Sequence, residues 1–141
     1  MDRRTKKVEG EEVMKRGGFH TNTPVHDPAV FVDRDGGYYI FGTHMAAATS
    51  KDLRFWDSFA EGVNAENPLF DNLFEGNMKA FEFCGKFNGE VYAVWAPDVS
   101  YNPYLKKYVM YFCTSGSYIK SSICMATADS AKGPYTFHET I

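Results

Sequence analysis

The sequence predicts an all-β chain built as about two blades of a β-propeller. Three observations support this: a high content of aromatic residues, short strand-like runs punctuated by turn residues, and a pattern that recurs in the second half. Aromatics make up 16% of the 141 residues, with nine Tyr and twelve Phe. Such side chains favour strands, and most of them are expected to fill strand cores.

The first block begins at Ala29-Val30-Phe31-Val32, a strand by composition. Asp33-Arg34-Asp35-Gly36-Gly37 follows as a turn, then Tyr38-Tyr39-Ile40-Phe41-Gly42-Thr43 as a second strand. Met45 to Thr49 reads as a third strand and Ser50 to Leu53 as a turn. Phe55 to Asn88 resists such a reading. Asn67-Pro68 and Asp71-Asn72 look like loop residues, and Phe74 to Phe87 suits a short helix or a strand. A connection of this length in a compact domain is more often functional than idle.

From Val91 the first block is echoed. Asp27-Pro28-Ala29-Val30 aligns with Asp98-Val99-Ser100-Tyr101, Tyr38 to Phe41 with Tyr108 to Tyr111, and Ala48 to Asp52 with Ala126 to Ser130. A recurring order of aspartate, strand, turn, strand, loop and strand suits propeller blades. The expected organisation is a polar leader over 1–24, one blade over about 25–60, a connection over about 61–90 and a second blade over about 91–141. Two blades cannot close a ring, and strand-like text runs to the last residues. The chain therefore reads as truncated, the rival being a small complete β-domain.

Composition narrows the function. A net charge of -3 offers no electrostatic footprint for nucleic acid. No apolar run approaches membrane-spanning length. Arg3, Arg4, Lys6 and Lys7 alternate with acids soon after and suit a solvated leader. The first 25 residues hold no apolar stretch of the signal-peptide kind. Cys84, Cys113 and Cys124 are odd in number and lack metal-type spacing, which suits reduced core thiols. A cytoplasmic setting is the expectation from these features.

Two acids carry the candidate chemistry. Asp27 lies in Val25-His26-Asp27-Pro28 and Asp98 in Trp95-Ala96-Pro97-Asp98, each beside a proline that restricts the backbone. If each begins the innermost strand of a blade, both point toward the central cavity. Inverting glycoside hydrolysis needs one carboxylate to activate water and another, protonated, to assist the leaving oxygen. A third acid nearby keeps the second protonated. Either motif alone is better explained as an Asx turn. The pair in register favours the functional reading.

At these motifs the chain resembles glycoside hydrolase family 43, over roughly Pro24 to Phe137. Tyr38 to His44, Ala48 to Trp56 and Ala126 to Tyr135 support the resemblance. It implies a five-bladed propeller, with Asp27 as general base and Asp98 as the acid that orients the general acid and tunes its pKa. The general acid itself, a Glu on a third blade, would lie beyond Ile141. Glu61, Glu66, Glu75 and Glu82 match no family motif. The implied substrate is an oligo- or polysaccharide of the arabinan or xylan type, with no nucleic acid or membrane partner. The Gly42-Thr43-His44 stretch looks more like the arabinan-cleaving members.

Trp95 is the candidate sugar-stacking platform, with a core role between blades as its equal rival. His44 is a candidate at the cavity rim. Thr114 to Ser117 reads as a polar loop, lining a subsite or simply turning the chain. No metal ligand and no cofactor is expected in this chain, calcium being left open for a longer protein. The competing functions are a non-catalytic carbohydrate-binding propeller module and a self-contained structural β-domain.

Overall fold

The computed structural model describes residues 23–141. Nearly all of the expected polar leader, residues 1–22, lies outside the described residues. Two four-stranded antiparallel sheets account for the regular structure. The first has the order β1 (Ala29–Val32), β2 (Tyr38–Gly42), β3 (Ala46–Ser50), β4 (Asp57–Ala60). The second has the order β5 (Val94–Asn102), β6 (Lys107–Ser117), β7 (Lys120–Ala128), β8 (Thr136–Thr140). Each sheet is a simple meander, so each strand pairs with its sequence neighbour. The expected all-β class and the two sheets are present.

The first hairpin follows from its turn. Asp33 accepts from the Gly36 amide, and Gly36 takes φ 84, a left-handed value that glycine adopts freely. The third strand begins one residue later than expected, because Thr43–Met45 forms a 3₁₀ turn first. The fourth strand falls inside the stretch whose sequence resisted reading. Its alternation is short, and only Ala60 is buried.

The sheets face each other across one core. Phe41 and Ala47 enter it from the first sheet, Met45 from the 3₁₀ turn between β2 and β3, and Val99, Met110 and Phe112 from the second sheet. The connection contributes Leu69, Phe70, Leu73, Ala80 and Phe81 to the same core. It is thus a structural element, with a single 3₁₀ turn (Lys79–Phe81) where a helix or strand was expected.

The expected loop Thr114–Ser117 is instead the end of β6, with Thr114 and Ser115 paired to Ser122 and Ser121. The physical reason is burial beneath the connection. Thr114 Oγ1 donates to the Ala80 carbonyl at 2.8 Å, and the Asn88 amide donates to the Gly116 carbonyl at 2.9 Å. A Cβ on Gly116 would stand 2.2 Å from the Cys84 carbonyl oxygen, so the connection lies directly on this strand.

Candidate active site

β1 and β5 are the first strands of their sheets, and β5 packs against β1, β2 and the 3₁₀ turn after β2. This packing brings the two aspartate motifs to the same end of the sheet pair. The segment before β1 crosses the end of β2 at Gly42. A Cβ there would stand 2.3 Å from Val25 Cγ1 and 2.6 Å from the His26 carbonyl oxygen. The absence of a side chain lets the Thr43 amide donate to that carbonyl at 2.8 Å. His26 thereby anchors the backbone that carries Asp27.

Asp27 adopts φ 49 immediately before Pro28. Aspartate tolerates the left-handed region better than most residues, while a following proline disfavours helical backbone. Its carboxylate is surrounded by donors. Thr43 Oγ1 donates to Oδ2 at 2.7 Å, and His26 Nδ1 lies 3.3 Å from the same oxygen. These contacts hold the Asp27 carboxyl below its ordinary pKa, Thr43 contributing most and the His26 hydrogen bond next; positive charge on His26 and His44 acts in the same sense. The side chain remains 53% exposed, so water reaches it.

Asp98 is the fifth residue of β5 and stands opposite Tyr111. It is exposed on the face opposite Val99, which is buried in the core. It therefore does not begin its strand as expected. The ladder breaks between Trp95 and Asp98 and resumes at Asp98. The two aspartates are also out of register. Ala29 stands opposite Phe41 just as Asp98 stands opposite Tyr111, and a proline precedes each. In backbone terms Asp27 matches Ala96, which likewise adopts a left-handed φ of 45 before its proline. The alignment of acid with acid is thus replaced by an alignment of proline with proline.

Thr43 joins the two motifs. Its hydroxyl, having donated to Asp27, accepts the Ala96 amide at 3.0 Å. The residue is 5% exposed. Sequence reasoning placed it at a strand end without a role. The available sign was a small hydroxyl residue directly after a glycine, between the two acidic motifs.

Trp95 is half-buried beside Asp98's motif. Its ring centroid lies 5.0 Å from Phe87 and 6.2 Å from Tyr118. Tyr118, at the β6–β7 turn, is 85% exposed. Phe87 and Tyr118 were not singled out from the sequence, since nothing local distinguishes them from other aromatics. His44 is exposed with φ 65, and its carbonyl accepts from the Gly62 amide at 3.0 Å. The 3₁₀ turn after β2 is thereby tied to the connection.

Two shallow concavities lie elsewhere. One of about 330 Å³ is lined by Glu61 and Glu66 among others, and one of about 510 Å³ by Glu75 and His138. Neither is lined by Asp27, Asp98, Trp95 or His44. Asp27 and Asp98 are both solvent-exposed. Among the described residues no group of three or more His, Cys, Asp or Glu side chains is placed to hold a metal ion.

Comparison with known proteins bears on this geometry. The family model described as glycosyl hydrolases family 43 matches residues 20–141. An extracellular endo-α-(1→5)-L-arabinanase 2 of Bacillus subtilis (strain 168) is 34% identical over 111 residues, covering 79% of this chain and 22% of the relative. An extracellular endo-α-(1→5)-L-arabinanase of Thermotoga petrophila is 34% identical over 119 residues, covering 83% of this chain and 24% of the relative. The crystal structure of endo-1,5-α-L-arabinanase from Thermotoga petrophila RKU-1, in complex with TRIS, matches with TM-score 0.74 at 31% identity. That match covers 87% of this chain and 26% of the other. The chain thus spans about a quarter of the length of these relatives. Both curated relatives are named extracellular, which overturns the cytoplasmic setting expected from the leader and the thiols. The chain belongs to glycosyl hydrolase family 43.

Proposed function

We propose that this chain supplies the first two acidic motifs of an inverting glycosidase that cleaves α-1,5-linked arabinan outside the cell. Asp27 is the general base, and Asp98 orients and tunes a general acid contributed by residues outside this chain. The two sheets are the first two blades of a five-bladed propeller. The observation that carries the reading is the joining of both acidic motifs at one end of the sheet pair through Thr43.

The chemistry suits the roles. A general base must be ionised at working pH and reachable by water. Asp27 is held ionised by two donors and is half exposed. A general acid must instead keep its proton near neutrality, which is not the environment of Asp27. Inversion leaves room for a water between base and sugar, the two carboxyl groups standing about 6.5–9.5 Å apart. Trp95, flanked by Phe87 and Tyr118, offers a ring face for the substrate next to Asp98.

Arabinan is favoured over xylan by the two curated relatives, both named as arabinanases. Further blades are favoured by the second sheet, whose outer face leaves Tyr111 44% and Ile123 52% exposed. On that face they adjoin the half-buried Cys113 and Met125 across the β6–β7 pair, and a contiguous apolar face of this kind marks a surface that another element covers.

The test uses the longer protein, assayed on linear 1,5-arabinan and on aryl arabinosides. Asp27→Ala is expected to lower kcat by about 10²-fold or more, the order of magnitude of general-base assistance, with arabino-oligosaccharide affinity retained. The 141-residue chain alone is expected to show negligible turnover, since this reading places the general acid outside it. Turnover that survives Asp27→Ala would move the active site elsewhere.

A further inference from the structure

We infer that Thr43 is a positioning residue whose hydroxyl couples the Asp27 carboxylate to the backbone of the Asp98 motif. The inference rests on the catalytic reading of those two aspartates and deepens it. The geometry is direct. A threonine hydroxyl has one proton to give and lone pairs to receive. Here the proton goes to Asp27 Oδ2 at 2.7 Å, and a lone pair takes the Ala96 amide at 3.0 Å. With Thr43 5% exposed, water competes poorly for either bond.

Both bonds end on residues whose backbone is strained. Asp27 and Ala96 each hold a left-handed φ before a proline, a conformation that costs free energy and persists only when surroundings enforce it. One hydroxyl supplies part of that enforcement on both sides. The two bonds also polarise each other. A negative Asp27 draws the Thr43 proton and makes its oxygen a better acceptor for the Ala96 amide, as in any hydrogen-bond chain. Protonating Asp27 reverses this. The state of the base is therefore felt at the turn that sets the register of Asp98, two residues on.

The other charged groups facing Asp27 are the imidazoles of His26 and His44. Both imidazoles remain in a Thr43 variant, so a shift of Asp27 there reports the lost hydroxyl against a constant set of titratable neighbours. Packing alone would be satisfied by valine, which has the shape of threonine. The proposal instead requires serine to preserve the coupling and valine to abolish it.

The test reads hydrogen bonds, so its failure is distinct from failure of the catalytic reading, which is tested by turnover. The 141-residue chain, labelled with ¹³C and ¹⁵N, is titrated by NMR while the Asp27 carboxyl carbon and the Ala96 amide are followed. In the unmodified chain Asp27 should titrate below an ordinary aspartate, and the Ala96 amide should inflect at the same pH. Thr43→Val should raise the Asp27 midpoint, remove that inflection and speed Ala96 amide exchange about tenfold or more. Thr43→Ser should keep all three features. In Asp27→Asn the inflection should vanish; its persistence would assign it to Asp98 and overturn the proposal. If Thr43→Val fails to fold, the unmodified chain and Thr43→Ser decide. An Ala96 amide silent through the Asp27 midpoint, or an inflection lost with serine, overturns the inference.

Discussion

At the scale of single residues, the site depends on one glycine as much as on its acids. Gly42 is extended, with φ -153, so its value is space rather than backbone freedom. Any side chain there meets Val25 and the His26 carbonyl. Gly42→Ala should push the 25–27 segment off the end of β2, breaking the Thr43 amide bond to His26 and withdrawing Asp27 from the Thr43 hydroxyl. Overpacking of this kind costs about 1–3 kcal/mol. Urea unfolding should show that loss, and the Asp27 titration should move up toward the ordinary aspartate range. A variant with unchanged stability and an unchanged Asp27 midpoint would mean that the segment has slack. The two acids were singled out from the sequence because each sits beside a proline in a distinctive motif. Thr43 was not, because its role arises from contacts 16 and 53 residues away along the chain. Acid-to-acid alignment misled in detail, since the ladder follows the prolines and the break at Trp95 shifts Asp98 within its strand.

At the scale of elements, the strands were readable wherever alternation ran between turn residues, as in β1, β2 and the start of β6. The end of β6 was not, because Thr114-Ser115-Gly116-Ser117 has the composition of a loop. Thr114 is met by the connection above it, its Oγ1 donating to the Ala80 carbonyl and its own carbonyl accepting from the Cys84 thiol, partners that local sequence does not announce. Ser115 Oγ is buried without a partner among the described residues. The connection itself looked like an insertion because its apolar residues follow no period of two or 3.6. They are placed by irregular backbone, with Met78 in the left-handed region leading into the 3₁₀ turn. Phe81, 3% exposed, stacks between Phe74 at 5.7 Å and Tyr92 at 4.6 Å. Phe81→Ala should therefore cost as much as a strand-core truncation, about 3–5 kcal/mol, read from the shift in urea midpoint. A loss below about 1 kcal/mol, within the range of surface substitutions, would show that the connection is only draped over the sheets.

At the scale of the whole molecule, the two sheets share a core and are also latched at the edge remote from Gly42. Tyr108, from β6 and 6% exposed, donates its hydroxyl to Asp33 Oδ1 in the β1–β2 turn at 2.6 Å. Its ring meets Tyr101 edge-on at 5.2 Å, and the Arg34 guanidinium lies 3.8 Å above Tyr101. The latch thus spans both sheets with a charge-assisted hydrogen bond and a cation over a ring. Hydrogen bonds to charged partners contribute about 1.5–3 kcal/mol when well formed. With Asp33 half-buried, Tyr108→Phe should cost about 1–2 kcal/mol. The pH dependence has a definite sign. The bond to Asp33 raises the Tyr108 pKa above its ordinary value, with burial adding to it. A group whose folded pKa is raised stabilises fully below its unfolded value, near 10 for tyrosine, and loses that contribution as pH rises through the folded value. The stability difference between the unmodified chain and Tyr108→Phe should hold steady from about pH 6 to 9 and shrink above about pH 10. Urea unfolding across that range measures it directly. A difference that stays constant well into the alkaline range would show that the phenol contributes by packing alone, and that the two sheets are held together by their core without the latch.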